Sequence, residues 1–68
     1  MNKKVIQRAK GIRPELGEDK AEEIREFIAG KAAKGRFYGK LIKDLEEEFG
    51  LSVDQAAACW YAWQTYQL

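Results

Sequence analysis

The chain predicts an all-α protein, a compact three-helix bundle preceded by a basic, weakly structured N-terminal arm. Three observations lead there: apolar residues recur at helical spacing in three successive segments, capping residues stand ahead of two of them, and glycines fall at the joints. The helices are expected at roughly 19–33, 36–49 and 53–67, in one domain over 14–68, with the arm at 1–13.

The arm, "NKKVIQRAKGIRP", carries Lys3, Lys4, Arg8, Lys10 and Arg13 and no acid. Val5, Ile6 and Ala9 suffice for a short helical turn, but Gly11 and Pro14 interrupt anything longer. Arg13 is expected to be extended because it precedes proline. In the first helix, Asp19 followed three residues later by Glu22 reads as a capping box. Ala21, Ile24, Phe27, Ile28 and Ala32 then form one apolar stripe, which Gly30 or Gly35 ends. The second helix places Tyr38, Leu41, Ile42, Leu45 and Phe49 on one side, and Gly50 suits the left-handed position just past its end. The third opens on Ser52, with Gln55 three positions on to complete a capping box.

The third helix has an unusual distribution of bulk. Val53, Ala56, Ala57, Trp60, Trp63 and Gln67 share one face at about 100° per residue. Tyr61, Cys59 and Tyr66 widen that face to an arc of about 220°, roughly twice the ordinary stripe. Asp54, Ala58, Ala62 and Thr65 form the opposite, mostly small face. The wide arc is expected to pack as core with Trp60 inside, leaving Trp63 and Tyr66 available to a partner. Trp and Tyr are the side chains most enriched at binding hot spots.

Composition removes most enzyme chemistry. There is no histidine and one cysteine, so no intramolecular disulfide, no His/Cys zinc site and no imidazole to activate a hydroxyl. Cys59 lies mid-helix with no Lys or Arg after Lys43, the setting of an inert structural thiol. The acids of "DLEEEF", Asp44, Glu46, Glu47 and Glu48, point around a helix axis instead of converging on a metal or a substrate. Gly30 and Gly35 have phosphate-loop spacing, but Arg36 and Phe37 follow where that motif requires Lys and then Ser or Thr. Neither catalysis nor a cofactor is expected. A single thiol fits a reducing, cytoplasmic setting, no signal-peptide pattern opens the chain, and no apolar run approaches the roughly 18 residues of a membrane span.

The net charge of +1 conceals alternating blocks. Residues 1–13 hold five bases and no acid, 14–29 six acids and two bases, 30–43 five bases and no acid, and 44–55 five acids and no base. Such blocks present local fields to a partner. In the second helix, bases precede glutamates, against the helix dipole by about 0.3–1 kcal/mol per exposed charge. Two accounts fit that order: the blocks face a partner, or the glutamates favour the start of the third helix.

The resulting expectation is a small non-enzymatic regulatory or inhibitory protein. It binds a larger protein through Trp63, Tyr66, Lys40, Lys43 and Glu47, and the wide apolar arc also suits a homodimer. A compact chain without catalytic groups is similar to the small regulators encoded by phages and mobile elements. The alternative comes from "LIKDLEEEFGLSVDQAAACW", which resembles a helix-turn-helix in outline. There Arg8, Lys10, Arg13, Lys34 and Arg36 would meet nucleic-acid phosphates and Gln55 would be the one base reader. The absence of Lys and Arg from the candidate recognition helix implies little sequence preference.

Overall fold

The computed structural model describes residues 2–68. They form five helices where three were expected: α1 (Lys3–Lys10), α2 (Ile12–Leu16), α3 (Glu18–Ala33), α4 (Tyr38–Phe49) and α5 (Val53–Gln64). No strand occurs among the described residues.

The first correction concerns the arm, which is helical and belongs to the core. Asn2 caps α1, its side-chain oxygen accepting the Lys4 backbone N–H at 2.7 Å. Val5, Ala9 and Ile12, at i, i+4 and i+7, are all buried. Gly11 ends α1 by donating its N–H to the Arg8 carbonyl at 3.1 Å, and the chain turns at once into α2. Pro14 is the third residue of α2, where its missing N–H would have had no partner within the helix. Arg13, expected to be extended, is helical. Burying Ile12 is worth about 1.5–3 kcal/mol, which outweighs the pre-proline preference. Of all helix pairs, α1 and α5 make the most extensive contact.

The second correction concerns the joints. The expected Asp19–Glu22 capping box is absent: α3 starts one residue earlier, on Gly17 at φ 90°, with no side-chain cap. Glu18 and Asp19 instead place negative charge in the first turn, where the dipole favours it. The helix runs through Gly30 and ends in a Schellman motif. There the N–H of Gly35 (φ 78°) donates to the Ala32 carbonyl at 3.0 Å, and that of Arg36 to the Lys31 carbonyl at 3.1 Å. Helix α4 begins at Tyr38, two residues later than expected, and ends at Gly50 in the left-handed conformation. The Ser52–Gln55 capping box is present, with bonds of 3.1 and 3.0 Å, and contributes about 1 kcal/mol.

The third correction concerns part of α5: Ala56, Ala57 and Cys59 are buried as expected, but the buried face extends beyond the expected arc. Its fully buried side chains are small: Ala56, Ala57, Ala58, Cys59 and Ala62. Ala58 and Ala62, expected on the outer face, are inaccessible, whereas Val53, expected inside, is 58% exposed. Trp60, Tyr61 and Trp63 are half-buried around the edge. The cause lies in the position of α5, which packs against each of the other four helices. A helix enclosed on several sides can bring axes to about 8–10 Å only where its side chains are small, so the rings are displaced to the rim. The assembly measures 27 × 26 × 22 Å, and α5 stops at Gln64, short of the expected residue 67.

Candidate functional site

The C-terminal end of α5 builds a groove of about 480 Å³ lined by Arg25, Trp63, Gln64, Tyr66 and Leu68. Its shape follows from how the helix stops. The Thr65 N–H and hydroxyl both donate to the Tyr61 carbonyl at 3.0 Å. The Tyr66 N–H donates to the Trp63 carbonyl at 3.4 Å and the Gln67 N–H to the Ala62 carbonyl at 2.8 Å, a second Schellman motif. This turns the chain back so that Leu68 enters the core. Tyr66 takes the left-handed position at φ 59°, the one described non-glycine residue with a positive φ, and its side chain is 96% exposed. That conformation costs an L-residue about 1–2 kcal/mol.

Trp63, half-buried, also lines the groove. One turn earlier, Trp60 meets Tyr38 of α4 edge to face, ring centroids 4.9 Å apart at 76°. Arg25 reaches the groove from α3, its guanidinium held by the Glu22 carboxylate at 2.6 and 3.2 Å. Sequence reasoning missed Arg25 and Leu68 as part of this site. Arg25 carried one signal, being one of two bases inside an acidic block. Leu68 carried none, because its place depends on the turn at Tyr66.

Of the five expected protein-binding residues, Trp63 and Tyr66 are brought together here and the other three are not. Lys40, Lys43 and Glu47 are exposed, on the side of α4 opposite its buried stripe of Leu41, Ile42 and Leu45.

The expected nucleic-acid contacts are mostly engaged within the fold. Arg8 pairs with Glu15 at 2.9 Å, and Arg13 with Glu18 and Glu22, both at 2.7 Å. Arg36 grips Asp44 through Nε and through a second bond of 2.9 Å. Gln55 is committed to its capping box and to Glu15 at 3.1 Å. Lys10 and Lys34 have no ion pair among the described residues.

The alternating blocks thus pair in succession, 1–13 with 14–29 and 30–43 with 44–55. Every arginine is in an ion pair and, among the described residues, no lysine is. The planar guanidinium fork suits such two-point pairing better than a point-charge ammonium does. The guanidinium groups of Arg25 and Arg13 hold the Glu22 carboxyl down at about 2. Arg8, Arg13 and Arg36 likewise lower Glu15, Glu18 and Asp44.

The remaining chemistry is sparse. Burial, reinforced by the Glu15 charge, pushes the Cys59 thiol up to about 12, so it is not a thiolate at neutral pH. Among the described residues no cluster of three His, Cys, Asp or Glu could hold a metal ion, and no helix is long and apolar enough to cross a membrane. No protein-family model matches the chain, and no curated protein or solved structure is significantly similar to it.

Proposed function

We propose that this chain is a small non-enzymatic helical binding protein, regulatory or inhibitory in role, that engages a larger protein through the groove at the end of α5. One observation carries the reading. Tyr66 occupies a strained backbone position with its ring almost wholly in solvent; the turn's hydrogen bonds and the burial of Leu68 would be had equally with glycine there, so no contact of the ring itself offsets the strain. Strained residues that persist without local compensation cluster at binding and switching sites. Trp63 lines the same groove and supplies a second aromatic anchor. Lys40, Lys43 and Glu47 then act on the encounter, through charge, and not as anchors.

Affinity capture with the wild-type chain, Tyr66→Gly, Trp63→Ala and the surface control Lys3→Ala tests this. A protein retained by wild type and control, and lost at least about tenfold by Tyr66→Gly with its helicity intact, supports the groove. Equal retention by Tyr66→Gly rejects it. Sedimentation of the chain alone covers the homodimer: self-association that Tyr66→Gly abolishes would give the groove to a second copy.

A further inference from the structure

The α3–α4 corner carries a second surface, none of whose residues lines the groove. Phe37 is 79% exposed, more than any other large apolar side chain except Tyr66. It sits in extended backbone ahead of α4, at φ −104° and ψ 178°, with no side-chain capping bond. Gly35 and Gly39 flank it, and a methyl group at either would meet no atom within 4 Å. Gly35 is required by its positive φ of 78°. Gly39 has no such reason: it lies in the first turn of α4, where glycine is a poor helix former and no neighbour demands it. The ring stands clear by its own exposure, and even a methyl group at either glycine would not touch it.

The chain on both sides of that ring is basic, with Asp44 and Glu47 of α4 the acids that act on the adjacent Arg36. No acid occurs between residues 30 and 43. Lys34, Lys40 and Lys43 are exposed, and Lys31 lies half-exposed at the end of α3 with its ammonium 5.3 Å from the Phe27 ring centre. Lys40 and Lys43 follow Phe37 on the exposed side of α4. Asp44 is consumed by Arg36, so the lysines remain as surplus positive charge.

We propose that this corner binds single-stranded nucleic acid, one base stacking on Phe37 and the flanking phosphates meeting Lys34, Lys40, Lys43 and Lys31. An exposed ring among point-charge cations is the arrangement that holds unpaired strands without reading sequence, since every base has a face to stack and every nucleotide a phosphate. A duplex keeps its bases stacked on each other and offers Phe37 nothing. A flat anionic bilayer would bring its headgroups against Glu47 and Glu48 further along α4, and a single ring inserts little apolar area. An acidic peptide would use the lysines but not the exposed face of the ring.

The test is fluorescence anisotropy of the full chain with a labelled thymidine dodecamer, a duplex of the same length and labelled polyglutamate, alongside flotation with vesicles of phosphatidylcholine and phosphatidylserine. The dodecamer is expected to bind best, with log K falling by roughly 2–3 per decade of salt for three to four phosphates. Phe37→Ala is expected to weaken it about tenfold and Phe37→Trp to preserve it. Lys40→Gln is expected to reduce the salt slope by about 0.7. Circular dichroism establishes that each variant is folded, and exposure of Phe37 makes its removal tolerable. Dodecamer affinity unchanged in Tyr66→Gly supports the corner as a site separate from the groove. No dodecamer binding, equal or tighter binding of duplex, polyglutamate or vesicles, or indifference to Phe37→Ala overturns the proposal.

Discussion

Helices α3 and α5 end in the same hydrogen-bonded turn, yet Gly35 occupies the left-handed position of one and Tyr66 that of the other. At α3 the position has open space around it, so glycine is there for its backbone freedom alone. At α5 the same dihedral is imposed on a residue that resists it. The geometry of the motif is therefore indifferent to which residue turns the corner, and the difference in cost lies wholly in the side chain. A domain of this size has few kilocalories of net stability to spare. A tyrosine kept where glycine would be easier sets the end of α5 apart from the end of α3, and that contrast is what the proposed binding role rests on.

The comparison can be broken outright at Ala62, whose carbonyl closes the turn of α5 and whose side chain has no accessible surface. Ala62→Leu is expected to cost about 3 kcal/mol through overpacking, read as a lowered urea midpoint; a stable variant would mean that the centre of α5 is loosely packed. Transplanting the strain is next. Gly35→Tyr is expected to destabilise by about 1–2 kcal/mol, and since nothing crowds that site the loss measures the dihedral penalty itself. Relieving the strain is the converse and slightly smaller: Tyr66→Gly is expected to gain about 1 kcal/mol in thermal unfolding while losing the partner. If instead it loses stability, the exposed ring is contributing to the fold and the contrast between the two ends disappears.

The smallest effect comes from acid. Glu22, one wall away from the groove through Arg25, titrates at about 2 when folded against an ordinary 4.5. The folded state binds fewer protons there, so this contribution is complete above about pH 4.5 and fades as pH falls toward 2. Urea midpoints taken across that range should decline, and Glu22→Gln should flatten the decline slightly, as expected of exposed pairs. An unaltered slope in the variant would show that the Arg13–Glu22–Arg25 chain holds nothing in place.

What was readable in the sequence follows the range over which each signal acts. Ser52 with Gln55, Gly50 and the stripe of α4 are local patterns, and all three are present in the fold. Most failures are tertiary, the absent Asp19–Glu22 capping box and the late start of α4 being local ones. Helices α1 and α2 are too short to announce themselves by periodicity and exist because Val5, Ala9 and Ile12 find α5. The face of α5 was drawn too far toward the rings: Ala56, Ala57 and Cys59 are buried as expected, but enclosure by four helices also buries Ala58 and Ala62 and leaves Trp60 and Trp63 half-buried. At the candidate site, Trp63 and Tyr66 were legible as aromatics that a buried helix does not need. The charge blocks were equally legible, but their destination was not: arginine and lysine look alike in a tally, and only the fold separates the cations that brace it from those left over.

The enclosure of Cys59 has a practical consequence. Its sulfur is shut away at the centre of α5 and stays protonated at neutral pH, so a disulfide-type labelling reagent can reach it only when that helix parts from its neighbours. As the chain's single thiol, it is a built-in clock: the rate of labelling counts how often the molecule opens at its middle, with no probe attached and no residue changed.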